Sequence, residues 1–147
     1  MKSSQRLKPL QRINEHHEQK AATALGKHQQ KLETNTKRLN DLNDYRIEYG
    51  RQFMSDGQQG ISAARIQDYQ KFMVNLDKAI QQQKLAIRQL QAEYELLKRQ
   101  WMAAHNRSKS IDNVADRYLK EENYQEEKRT QKDLDERNNR NNFKSNQ

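Results

Sequence analysis

From Ile66 onward, apolar residues recur at alternating spacings of three and four. The positions are Ile66, Tyr69, Met73, Leu76, Ile80, Gln83, Ile87, Leu90, Tyr94, Leu97, Trp101, Ala104, Ser108, Ile111, Ala115 and Tyr118. Only Gln83 and Ser108 interrupt the sixteen. A 3.5-residue period held for more than seven heptads predicts one strand of a left-handed coiled coil, because slight underwinding keeps such a stripe against a single partner. The first third of the chain repeats the period more weakly. Leu25, Leu32, Leu39, Arg46 and Phe53 form one column, and Ala21, His28, Asn35, Leu42 and Tyr49 the other.

Between the two patterns lies "SDGQQGIS", residues 55–62, with two of the four glycines. Gly57 suits a left-handed helix end, and Ser62 suits the cap of the next helix. The expected fold class is all-α, a two-helix antiparallel coiled-coil hairpin with a longer second helix. Its elements are helix one at 9–54, a hairpin turn at 55–61, helix two at 62–137 and a frayed polar tail at 138–147, within a single domain 1–147.

An antiparallel pair turning about the middle of that loop matches positions whose numbers sum to 115. Tyr49 then meets Ile66, Leu42 meets Met73, Leu39 meets Leu76 and Leu25 meets Leu90. The same register sets Asn35 against Ile80, His28 against Ile87 and Glu18 against Leu97, polar mismatches that would loosen the end away from the turn. Met1 falls opposite Val114, and the stripe of helix two fades soon after, at Tyr118. At about 1.5 Å per residue, helix two would reach roughly 110 Å.

Composition agrees with this economy. With 32% hydrophobic and 33% charged residues, the chain can fill a stripe but not the centre of a globule. No cysteine is present, which excludes disulfides, cysteine zinc sites and thiol catalysis. No apolar run approaches the ~20 residues of a membrane span, and the N-terminal "MKSSQRLKPLQRINEHH" has no signal-peptide h-region, so a cytosolic protein without direct membrane insertion is expected. There is no GxGxxG, GxxxxGK[ST] or HExxH. His16 and His17 are neighbours that point about 100° apart on a helix, and a solvated face explains them. No enzyme activity, cofactor or metal is expected, since a two-helix hairpin has no concave pocket in which to tune carboxylates.

The net charge is +8. It arises from eleven cations against seven carboxylates over residues 1–60, ten against six over 61–119, and seven against seven thereafter. No dense basic region leads into a zipper, so nucleic acid is not the expected partner. Two local concentrations stand out: Lys2, Arg6, Lys8 and Arg12 before the first acid, and Arg137, Arg140 and Lys144 after the last. They serve either as a solubilising fringe or to dock the ends into an acidic partner.

Phe72 does not belong to the stripe. It takes a flanking g position, with Ala79 at the next g and Leu76 and Gln83 at neighbouring d sites, so the four line one edge of helix two. Tyr45 is the nearest g residue across the pair. Either Tyr45 covers Phe72 and widens the core, or Phe72 is an exposed aromatic anchor for a partner.

At these residues the sequence resembles FliJ, a family of the bacterial flagellar type III export apparatus. The likeness runs from "LNDYRIEYGRQF" through the turn to "YQKFMVNLDKAIQQQ", carried by Leu42, Tyr45, Glu48 and Tyr49, by Gly60, and by Tyr69, Phe72, Leu76, Ala79 and Ile80. It implies a coiled coil similar to the gamma-subunit stalk of rotary ATPases. It also implies a non-enzymatic stalk seated in the hexameric FliI-like export ATPase, coupled to the FlhA-like export gate and contacting export chaperones, at the cytoplasmic face of the inner membrane at the flagellar base. By the same resemblance Phe72, Leu76 and Ala79 match the gate-binding edge, with Tyr45 beside it. Gln83 departs from the histidine expected in enteric members. The basic ends, Lys2, Arg6, Lys8, Arg12, Arg137, Arg140 and Lys144, would meet the ring. A homodimeric structural coiled coil and a basic helical nucleic-acid binder are the alternatives.

Overall fold

A computed structural model describes residues 2–146 and contains two helices, α1 (Ser3–Gly57) and α2 (Ala63–Ser145), with no strand among the described residues. The fold is all-α, an antiparallel two-helix hairpin whose second helix is the longer. By contact the chain falls into two compact units, residues 21–101 on the turn side and residues 1–20 with 102–147 on the terminal side.

The stripe of α2 is a seam. At its positions from 69 to 115 every residue is buried or half-buried, whereas Ile66 and Tyr118 at its limits are exposed. On α1 the covered positions extend the expected columns back to Ser4 through Leu7, Gln11, Asn14, Glu18 and Ala21. Most of these are polar, which is why hydrophobicity alone did not reveal them. Among the described residues, Leu76, Ile80 and Ala115 are the buried apolar ones, joined by Asn14, His28 and Ser108 as buried polar ones.

The element bounds differ from expectation at both ends. Helix α1 begins at Ser3 and carries Pro9 inside it, where a start at 9 was expected. Its first turn is capped from outside, by Glu122 of α2, which accepts from the Ser4 N–H at 3.1 Å and from the Ser4 hydroxyl at 2.6 Å. At the other end, α2 stays helical to Ser145 where fraying from 138 was expected. Asp133 with Arg137 and Glu136 with Arg140 stand acid-before-base at i,i+4, and Lys144 complements the dipole in the last turn. Gln147, the last residue of the expected tail, lies outside the described residues, as does the expected pairing of Met1 with Val114.

The turn also sits later than the expected 55–61. Helix α1 runs to Gly57, and the left-handed residue is Gly60, with φ 91°, in place of Gly57. Gly57 is helical, and the nearest atom to a Cβ there would be the flexible end of Ile61, Cδ1, at 2.9 Å. Ser62 does cap α2, its hydroxyl accepting from the Arg65 N–H at 3.3 Å and its carbonyl from the N–H groups of Arg65 and Ile66. Moving the pivot to Gly60 shifts the pairing by about one helical turn. Tyr49 therefore meets Tyr69 and Phe72, not Ile66.

That shift removes the expected polar mismatches. In the turn-side unit, Asn35 meets Gln83, whose amide donates to the Asn35 carbonyl and to Asn35 Oδ1, both at 2.9 Å. His28 reaches the Leu90 carbonyl at 2.9 Å and Glu93 at 3.4 Å. In the terminal unit, Glu18 meets His105 at 2.5 Å, and Gln11 donates to Asp112 at 3.0 Å. Asn14 donates to the carbonyl of Leu10, one turn back on its own helix, at 2.8 Å. Polar seam positions face polar partners, so burying them leaves no orphaned side-chain atom among the described residues.

Candidate partner-binding edge

Near the turn, the helical spacing of Tyr45, Tyr49 and Phe53 sets three rings along one face of α1, opposite Tyr69 and Phe72 of α2. Phe53 stacks on Tyr69 with centroids 3.8 Å apart, and Tyr69 stacks in turn on Tyr49 at 5.6 Å. Tyr49 lies 4.3 Å from Phe72, and Tyr45 meets Phe72 edge-on at 5.8 Å. The five rings form one continuous cluster, with the offset and edge-on contacts that aromatic quadrupoles favour.

Phe72 is half-buried within it. Tyr45 partly covers Phe72 and is itself 51% exposed, so it is the outermost ring of the cluster. The rest of the expected edge divides further. Leu76 is only 7% exposed and serves the core, while Ala79 is half-buried. Gln83 is half-buried and spends its amide on Asn35. What a partner can reach here is chiefly Tyr45, with Phe72 and Ala79 behind it.

Beside the cluster, Arg46 clasps Asp77 through Nε at 2.6 Å. This contact raises the Arg46 pKa and holds the Asp77 carboxyl below its ordinary range. Spacing placed Arg46 in a core column; in the structure it is exposed and ties the flanks of the two helices together. Tyr49 as the platform of Phe72 escaped the sequence reading because the register was one turn off. Its signal was the i,i+4 spacing of Tyr45, Tyr49 and Phe53.

The chain matches the family model described as "Flagellar FliJ protein" over residues 2–147. The chain belongs to the flagellar FliJ family. A curated relative, the flagellar FliJ protein of Salmonella typhi, is 28% identical over 130 residues, covering 88% of each chain. No solved structure matches the chain.

The basic ends of this FliJ family member belong to the terminal unit. Lys2 lies 3.8 Å from Glu126, and Arg6, Lys8 and Arg12 are exposed on the first turns of α1. Arg137, Arg140 and Lys144 are exposed on α2, beginning eleven residues, or about 16 Å, beyond Glu126. The two groups are therefore separate patches. His16 and His17 have ring centroids 6.4 Å apart at a 52° tilt, and no cluster of three or more potential metal ligands occurs among the described residues. No helix is long and apolar enough to cross a membrane.

Proposed function

We propose that this FliJ family member is a non-enzymatic stalk and escort protein of flagellar type III protein export. Family membership over residues 2–147 is the observation that carries this reading. In it, the basic ends sit in an export ATPase ring, the aromatic edge meets the transmembrane export gate, and export chaperones bind elsewhere on the coil. The protein then works at the cytoplasmic face of the inner membrane at the flagellar base, with catalysis belonging to the ring. Two long packed helices suit a part that transmits a bias between two bodies, since each body can favour one seating of the coil.

Within this reading the residues of the gate-facing edge differ in exposure. Tyr45 is the exposed ring, Phe72 and Ala79 support it, and Leu76 acts through packing. Exposed aromatic anchors backed by apolar surface are where binding energy concentrates. The test is gate-protein binding and ATPase stimulation measured with Tyr45→Ala. Loss of gate affinity by at least tenfold with stimulation retained is the expected result. Unchanged gate binding by the folded variant removes the edge from the mechanism, and absence of both ATPase stimulation and gate binding in the native protein removes the export reading.

A further inference from the structure

The outward side of α2 in the turn-side unit carries a second apolar feature, unrelated to the seam. Val74, Leu85 and Leu96 are 53%, 61% and 53% exposed. They stand eleven residues apart, a spacing of three turns that drifts by only about 20° per step, so they share one face. Shallow, open depressions of about 620 and 470 Å³, lined mostly by polar side chains, flank Val74 on either side, the second reaching Leu85.

Cations outnumber carboxylates on this face. Lys71, Lys78, Arg88 and Arg99 lie within about 60° of the Val74 direction at 100° per residue. None of the four is in an ion pair among the described residues. The carboxylates of the same face, Asp77 and Glu95, stand together on one margin, and Asp77 is already held by Arg46. Apolar side chains in single file with unneutralised cations beside them are complementary to a narrow apolar stripe bordered by carboxylates.

We infer that this face is a docking site for an amphipathic helix of a partner protein, apolar along one stripe and acidic along its margins. The partner helix spans about 33 Å from Val74 to Leu96. Gln81 and Gln89 lie on the face between the apolar residues, and Gln67 and Gln70 ahead of Val74. That leaves it too narrow for a bilayer surface, which takes a broad Trp, Phe and Leu face. The site lies outside the aromatic edge and requires none of its residues.

The test places a photo-crosslinking phenylalanine analogue at position 85 of the full-length protein in its own cell and sequences the captured peptide. The expected capture is a protein segment with apolar residues at spacings of three and four, flanked by Asp or Glu. It should fall at least tenfold when Lys78→Glu and Arg88→Glu are added, while helical content and Tm remain those of the parent. Val74→Gln with Leu96→Gln provides an uncharged second variant with the same expected loss. Capture of lipid, nucleic acid or a second copy of this chain, capture indifferent to these substitutions, or no capture overturns the inference. The readout is the chemistry of the captured segment, so it stands or falls separately from the export reading.

Discussion

Glu122 of α2 supplies the acidic cap that the first turn of α1 lacks. One carboxylate oxygen accepts the Ser4 hydroxyl at 2.6 Å and the other the Ser4 backbone N–H at 3.1 Å, while α1 has no acidic residue of its own there. Those hydrogen bonds, with Lys2 nearby, hold the Glu122 carboxyl below its ordinary range. A tertiary contact thus does the work of a local N-cap, satisfying donors at the positive end of the helix dipole. It explains why α1 starts ahead of Pro9.

Replacing Glu122 with Ala should therefore unravel the beginning of α1 without melting the turn-side unit. Hydrogen exchange is the suitable measurement. Amide protection should fall over residues 5–20 and stay unchanged over 63–101, and a uniform loss across both regions would contradict the capping role.

Acid should act on the hairpin through three carboxyls. Glu18, held by His105 and Ser108, Asp77, held by Arg46, and Glu122, held by Ser4, all have lowered pKa values in the folded protein. A lowered folded pKa means the unfolded chain binds protons more readily, so stability is full above the ordinary carboxylate pKa of about 4 and is lost as pH falls through the folded values. Thermal melts from pH 7 to pH 2 should give a flat Tm above about pH 5 and a decline below it. A Glu18→Gln, Asp77→Asn, Glu122→Gln triple variant should show a shallower decline.

Phe72 and Tyr45 should separate fold from binding. Phe72 packs at 4.3 Å on Tyr49, so Phe72→Ala should cost about 1–2 kcal/mol, part of the full aromatic burial term. Tyr45→Ala removes one edge-on contact of an exposed ring and should cost about 0.5–1 kcal/mol. Urea unfolding of the two variants checks the order, and the smaller perturbation makes Tyr45 the cleaner probe in binding assays.

The two turn glycines should respond oppositely to alanine. At Gly60, φ is 91°, so Gly60→Ala should cost about 1–2 kcal/mol. Gly57 is helical, and the nearest obstacle to a Cβ is the flexible end of Ile61 at 2.9 Å, so Gly57→Ala should be neutral or gain up to about 1 kcal/mol of helix propensity. Differential scanning calorimetry of the pair decides it, with an equal loss at both positions counting against the turn geometry.

The sequence by itself determined the class of this protein and the seam of α2. The stripe predicted from periodicity is covered from Tyr69 through Ala115, because a sustained 3.5-residue repeat has one way to bury its apolar side. Phe72 was legible as an off-seam aromatic for the same reason. The tertiary structure decided the register, and with it the site. Pairing depends on where the chain reverses, and Gly57 was the expected left-handed residue; the positive φ falls on Gly60, which moves Tyr49 onto Phe72 and leaves Tyr45 outermost. The polar seam of Ser4, Gln11 and Asn14 was equally beyond a hydrophobicity pattern, and Glu18 was placed in it only as a mismatch against Leu97. Such side chains are buried or half-buried because particular partners, Glu122, Asp112, the Leu10 carbonyl and His105, stand where their hydrogen bonds can be made.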